Sequence, residues 1–374
     1  MSPTEFFYRI DHQYKTGLPF VAYRKPGSTM LKAIFQEDVL LHNTTTLEET
    51  GFVFAPFEAV GPKILIKGKS LEVYFELTER KSELLDIKIP LIHSEREDYI
   101  KLIKKAVSKI KSSELKKVVL SRKQVLSDMQ KDPNVIFQEL LKTYPQAFCY
   151  FFYHPQIGVW LGATPETLLS SNGRSFQTMA LAGTQRYEGR MDVKWGVKEQ
   201  EEQQFVVDEI TSQLKELGID SLNISTTQTH RAGSLLHLLS KIKGSVDCKK
   251  QTLSQIINAL HPTPAVCGLP RDDAKKFILK NENYNREYYT GFLGELNFEE
   301  KIQRSRNKRN VENLAYKTIR KTSDLYVNLR CMQLKDSDYH VYIGGGVTAS
   351  SIPEKEWEET VNKAQTMARV LHSN

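Results

Sequence analysis

The sequence predicts an α/β (α+β) chain in which sizeable sheets are flanked by helices. Two observations predict it. Short runs with strand character alternate with helices in no strict βαβ rhythm, and many are joined by turns, which points to mixed or antiparallel sheets. The helical stretches instead carry apolar stripes at spacings of three and four, with recognisable starts and stops. Length alone would allow roughly two domains, but the 374 residues hold no internal repeats, low-complexity tracts or long Gly/Ser linkers that would divide them.

In chain order, strands are expected at 20–24, 51–56, 63–66 and 71–77, then at 117–126, 147–154 and 157–161. These runs are rich in β-branched and aromatic residues and bounded by turn formers. Residues 166–170 and 175–181 read as a hairpin around Asn172-Gly173. The runs 291–298, 324–334 and 339–344 complete the set. Among the helices, Ser94 and Glu97 form a capping box before Tyr99, Ile103, Ala106, Val107 and Ile110. Val206, Ile210, Leu214 and Leu217 make a stripe that stops at Gly218, a C′ glycine. Leu253, Ile256, Ile257 and Leu260 mark a helix running into His261-Pro262-Thr263-Pro264. The last helix starts near Pro353 and carries Trp357, Val361, Ala364, Ala368 and Leu371 on one side.

Composition narrows the function classes. Hydrophobic residues make up 40% and charged residues 26%, the ordinary balance of a globular protein. No apolar run approaches a membrane span, and residues 1–14 lack the pattern of a signal peptide, so no membrane partner is expected. Cys149, Cys248, Cys267 and Cys331 show no Cys-x-x-Cys spacing; they read as small buried residues and fit a reducing, cytoplasmic setting. Much of the net charge of +7 lies in 101–117 and in 301–321, with Arg304, Arg306, Lys308 and Arg309. No RNA- or DNA-binding motif accompanies that charge, so no nucleic acid partner is expected. A solvated basic loop over about 299–323, elaborating a hairpin, is expected instead. A positive field also suits a dianionic substrate.

Three stretches stand out. Pro262 and Pro264 stiffen the backbone around His261 in His-Pro-Thr-Pro-Ala-Val-Cys-Gly, and after a short helix comes Arg286-Glu287-Tyr288-Tyr289-Thr290-Gly291-Phe292-Leu293-Gly294. Gly344-Gly345-Gly346 at a strand end lets backbone N–H groups approach an anion, and it feeds a helix on which Glu356, Glu359 and Lys363 share a face. Taken alone, that face is a salt-bridged solvent surface. Lys198-Glu199-Gln200-Glu201-Glu202-Gln203, taken alone, is a charged helix start.

Together these stretches resemble the chorismate-utilising enzymes: anthranilate, aminodeoxychorismate, isochorismate and salicylate synthases. The resemblance runs in register from about Lys116 to about Met367, with weaker echoes at 18–24 and 51–57. It implies one chorismate-binding domain over 1–374, of two packed sheets with helices outside and the active site between them. Residues 1–93 would form an N-terminal, sheet-forming part and 94–374 the catalytic core. It further implies Glu202 and Glu359 as Mg²⁺ ligands, Glu356 as the holder of metal-bound water, and Lys363 as a contact to substrate carboxylate. Relatives place a histidine where Gln203 stands, a departure that touches the surroundings of Glu202.

Lys117 and Glu166 match the positions that the resemblance gives to the water-activating base and the general acid of isochorismate synthases; the aminating enzymes would show glutamine at the lysine position. Ala182 stands where aminodeoxychorismate synthases carry a nucleophilic lysine, so that covalent route is closed. Gly183 and Thr184 would offer a backbone N–H and a hydroxyl to the substrate, and Gly344 and Gly345 complete its cradle. Arg330, alone among apolar neighbours in the run 324–334, would grip the carboxylate of the pyruvyl group. His261 would face the ring or the pyruvyl ether, or serve the structure alone. The resulting expectation is a Mg²⁺-dependent isochorismate synthase of menaquinone or siderophore biosynthesis, a monomer with no glutamine amidotransferase subunit. A salicylate synthase is the alternative, followed by an anthranilate synthase-like aminating enzyme.

Overall fold

Successive strand residues point to opposite faces, and in central runs such as 20–24, 51–55 and 148–154 both faces are buried and mostly apolar, so these strands are covered twice. The structure, a computed structural model, describes residues 1–58, 63–76, 93–127, 131–233, 235–247, 250–303 and 317–372. Helix α1 (Pro3–Lys15) leads into β1 (Phe20–Arg24), β2 (Met30–Phe35), β3 (Asn43–Thr44), β4 (Gly51–Ala55), β5 (Lys63–Ile66) and β6 (Lys69–Tyr74). Then come α2 (His93–Lys111), β7 (Lys117–Leu126), α3 (Pro133–Thr143), β8 (Phe148–His154), β9 (Gly158–Thr164), β10 (Thr167–Asn172) and β11 (Ser175–Arg186). The middle of the chain forms α4 (Val197–Glu216), β12 (Asn223–Ile224), β13 (Gln228–Ala232), β14 (Leu235–Ser245), α5 (Leu253–Leu260), β15 (Gly268–Leu269) and α6 (Arg271–Asn281). The last elements are β16 (Phe292–Gln303), β17 (Lys317–Val327), β18 (Cys331–Lys335), β19 (Asp338–Thr348) and α7 (Pro353–His372).

Nine strands form one sheet in the order β15-β7-β19-β18-β9-β8-β1-β2-β6; a second runs β12-β14-β11-β10-β17-β16-β4-β5-β3, with β13 paired on β14. The ladders among the described residues are antiparallel. Alternation divides the core into layers. Val21 and Tyr23 of β1, Phe52 and Phe54 of β4, and Phe148, Tyr150 and Phe152 of β8 meet between the sheets. Their neighbours Phe20, Ala22, Cys149 and Phe151 turn outward under α1, α3 and α7. On the other side Val53 and Ala55 lie under α4 and α5.

Helix ends follow local chemistry. Ser2 and Asp132 cap α1 and α3, each with proline at the first helical position, and Thr252 with Gln255 closes a capping box on α5. Gly218 ends α4 as expected: its N–H donates to Lys215 O and that of Ile219 to Leu214 O, the paired bonds of a Schellman stop. The expected capping box on α2 differs, because the helix begins at His93 and Ser94 therefore stands inside its first turn.

Other departures bear on the site. The run 324–334 is not one strand: β17 belongs to the second sheet and β18 to the first. Between them Asn328 accepts from Tyr150 Oη and donates to Tyr288 O, and Arg330 takes a left-handed φ of 47°. β19 continues past the expected 339–344 to Thr348, so the three glycines lie inside a strand laddered to β7. Strand β6 stops at Tyr74, and residue 77 lies outside the described residues. The expected basic loop is partly strand: Glu299 pairs with Lys321 and Gln303 with Lys317, while Arg304, Arg306, Lys308 and Arg309 lie outside the described residues. Cys149, Cys267 and Cys331 are free and buried; Cys248 lies outside the described residues. No helix among the described residues is long and apolar enough to cross a membrane.

Candidate active site

A cavity of about 110 Å³ opens where β7 and β19 of the first sheet face β11 and β14 of the second, and α4 and α7 contribute to its wall. Lys117 opens β7, buried, with its Nζ 2.7 Å from Glu202 Oε1. Glu202 reaches the cavity from the start of α4, which packs on β11. Burial alone would raise the Glu202 carboxyl, but Lys117, Lys363 and Lys198 outweigh it and hold the group below the usual carboxylate range.

Glu166 sits in the short link between β9 and β10, 2% exposed. Its backbone bonds to Val327 and Thr164, and Thr263 Oγ1 donates to its carboxyl at 3.4 Å. Burial pushes this carboxyl up to about 7, against smaller opposing pulls from the Thr263 bond and the Lys117 charge. A carboxyl in that range can carry a proton near neutral pH and give it up, as a general acid must.

Gly183 and Thr184 form a bulge in β11, where the register to β14 shifts between Ala182 and Gln185. Gly183 holds φ 65°, a conformation open to glycine at low cost, and turns its carbonyl towards His237. Arg330 enters from the corner between β17 and β18. Its Nη1 donates to Ala232 O at 2.9 Å and its Nη2 to His237 Nε2 at 3.0 Å. No Asp or Glu among the described residues forms an ion pair with it. Burial pushes the guanidinium down to about 10, so it still carries its charge at neutral pH.

The glycines of β19 make room. At Gly346 a Cβ would stand 3.0 Å from Glu202 Oε1 and 3.1 Å from Lys117 Cε, and at Gly344 it would lie 2.8 Å from Tyr289 Oη. At Gly345 it would lie 3.6 Å from Glu359 Oε1. Lys363 donates to Gly344 O at 2.9 Å and pairs with Glu359 at 2.6 Å. Glu356 is not on a solvent face: it is 4% exposed, with Lys198 3.4 Å away. Burial raises its carboxyl despite the Ser351 bond and the Lys198 charge.

Lys117, Glu166, Gly183, Thr184, Glu202, Arg330, Gly344 and Lys363 all line the cavity. Gly345, Glu356 and Glu359 flank it through these contacts. His261 does not line it. Its ring lies edge-on to Phe292 at 5.1 Å, and neither nitrogen makes a well-aligned hydrogen bond. Burial, only weakly opposed by the nearby Pro56 and Phe57 backbone, pushes it down to about 4. The loop instead presents Thr263 to Glu166. Gln203 points away from Glu202, donating to Ala180 O and Ser240 Oγ, so the departure at this position belongs to the packing of α4 on the sheet. Tyr289, from the stretch Arg286-Glu287-Tyr288-Tyr289, and His237, which lies in none of the three stretches, line the cavity as well. The one signal for His237 was a histidine alone in a leucine run, Leu235-Leu236-His237-Leu238-Leu239.

Glu202 and Glu359 offer hard oxygen donors beside the glycines of β19, each paired here with a lysine. Among the described residues no three His, Cys, Asp or Glu side chains converge to enclose one. Such a cation would need water and an anionic ligand to complete its shell, the habit of Mg²⁺. The residues present fit that ion.

Comparison with known proteins gives the chain's family. A family model described as "Chorismate binding enzyme" matches residues 68–302, and a second, "chorismate binding enzyme", matches 315–369. Isochorismate synthase EntC of Escherichia coli (strain K12) is 26% identical over 286 residues, 74% of this chain and 68% of EntC. Isochorismate synthase MenF of the same organism is 27% identical over 366 residues, 95% of this chain and 74% of MenF. The solved structure of DhbC from Bacillus anthracis superposes with a TM-score of 0.76 at 23% identity, over 98% of this chain and 100% of that one, which speaks for the fold. The chain belongs to the chorismate-binding enzymes.

Proposed function

We propose that this enzyme is an isochorismate synthase, an isomerase that converts chorismate to isochorismate. The carrying observation is the pair Lys117 and Glu166, buried on one cavity, with Glu166 held at about 7. Similarity to EntC and MenF, both named isochorismate synthases, supports the reading. So does Arg330, a half-buried cation on the cavity wall without a carboxylate partner among the described residues.

In the reaction, water adds at C2 of the cyclohexadiene, the double bonds shift, and the C4 hydroxyl leaves. Lys117 takes a proton from the attacking water, and Glu166 gives one to the departing hydroxyl, so water enters and water leaves. Each such transfer is worth about 10²–10⁴-fold. Arg330 and Lys363 hold the substrate carboxylates. Glu202 and Glu359 would hold Mg²⁺, which when bound supplies positive charge to a substrate carboxylate and to the ring. Lys117 and Lys363 are the present counter-ions of those glutamates, so engaging the carboxylates elsewhere frees both amines for the substrate. Because water is the nucleophile, no glutamine amidotransferase subunit is required. The product would serve menaquinone or siderophore synthesis.

Product analysis after incubation with chorismate, with Mg²⁺ and separately with EDTA, tests the reading. Isochorismate formed only with Mg²⁺, and without pyruvate, is expected. Salicylate with pyruvate would move the enzyme to the lyase branch, anthranilate formed with added ammonia to the aminating branch, and no turnover would overturn the proposal.

A further inference from the structure

The imidazole of His237 sits between two groups that fix its tautomer. The Gly183 carbonyl can only accept, so Nδ1, 2.8 Å away, carries the hydrogen. The Arg330 guanidinium can only donate, so Nε2, 3.0 Å from Nη2, is the acceptor. One rigid ring therefore ties the arginine to the bulge formed by Gly183 and Thr184, and both ends of the tie lie on the cavity wall. Ala232, across the hairpin of β13 and β14, supplies the guanidinium's other acceptor.

This arrangement has costs that packing alone does not require. Arg330 holds a left-handed backbone, an unfavourable conformation for a residue with a Cβ. Its side chain is long, and without two acceptors its plane would be free to turn. A neutral acceptor is also the only kind of partner that orients a cation without cancelling its charge; a carboxylate in the place of His237 would compete with an anionic ligand. Burial, and then the Arg330 charge, push the imidazole down to about 3, so the acceptor persists at neutral pH.

We propose that His237 is a positioning residue: through its Nδ1–H tautomer it locks the Arg330 guanidinium to the Gly183–Thr184 bulge and so sets how tightly the substrate carboxylate is held. The inference rests on the reading of Arg330 as that carboxylate's partner.

Two variants separate positioning from packing. His237→Asn keeps a donor near Gly183 and loses the acceptor for Arg330. His237→Gln places an amide oxygen where Nε2 stood. His237→Asn should raise the KM for chorismate about tenfold or more with kcat within about twofold, and His237→Gln should recover most of the loss. Melting temperatures should stay close to that of the wild type. A wild-type KM in His237→Asn would overturn the inference, as would a loss of kcat at constant KM. Equal impairment of both variants with lowered melting temperatures would assign His237 to packing. Wild-type protein that does not use chorismate would overturn the reading of the site itself, a result separate from the variant-to-wild-type ratio.

Discussion

Arg286 is buried and Arg330 half-buried, and these two desolvated arginines are partnered in opposite ways. Arg286, from the stretch Arg286-Glu287-Tyr288-Tyr289, grips Glu282 with two bonds of 2.6 and 2.8 Å. It also donates to the carbonyls of Val266 and Val119 and lies over the Phe57 ring at 4.7 Å. Burial works against its charge, but Glu282 outweighs burial and holds the guanidinium above its usual range. Arg330 has a carbonyl, an imidazole and no ion pair among the described residues, and burial pushes it down to about 10. A buried charge that is answered inside the fold is framework. A half-buried charge on a cavity wall, without an ion pair among the described residues, is prepared for a ligand that carries the counter-charge.

The comparison can be broken most forcefully at the framework end. Arg286→Met leaves Glu282 buried and uncompensated, and should cost about 3–5 kcal/mol in a denaturant melt. Lys117→Gln should lower kcat by about 10²–10⁴-fold in protein that remains folded. Retained turnover would remove Lys117 from the role of base.

Glu166 sharpens the contrast through pH. Its carboxyl stands at about 7 in the fold against an ordinary 4.5, so the folded state holds the proton more tightly than the unfolded state. That contribution to stability is full below pH 4.5 and is lost as pH rises through about 7. At pH 8, Glu166→Gln should therefore be more stable than wild type by up to about 3 kcal/mol, and the gap should close in acid. As a general acid, Glu166 should also give kcat/KM a falling limb near pH 7 that the glutamine variant lacks. A pH-independent stability difference would mean that the carboxyl does not titrate as described. The smallest effect is expected for Glu202→Gln, which should raise the Mg²⁺ concentration needed for half-maximal activity; an unchanged requirement would place the metal elsewhere.

Local physics made much of this legible in the sequence. Strands β1, β5 and β7 fall where their apolar and β-branched runs predict them, and the glycine stop of α4 follows from one residue. Lys117, Glu166 and Glu202 could be named because they sit in motifs. Features made by distant partners could not. No expectation covered β14, whose leucines suit a helix as well as a strand. The corner at Arg330 depends on Asn328 bonding to Tyr150, 178 residues away. His237 acquires its meaning only when β14 is laid beside the Gly183 bulge. His261 illustrates the converse. Its loop does border the cavity through Ala265, yet the side chain that reaches Glu166 is Thr263.

The most direct test pairs one arginine with the other. Chorismate binding by calorimetry and a denaturant melt would be measured on Arg330→Met and Arg286→Met beside wild type. Arg330→Met should melt within about 1 kcal/mol of wild type and bind chorismate roughly 10–100-fold more weakly, the value of a charged hydrogen-bonded contact. Arg286→Met should lose stability and, where still folded, bind normally. Unweakened binding by Arg330→Met, or a stability loss matching that of Arg286→Met, would contradict the division between framework and site.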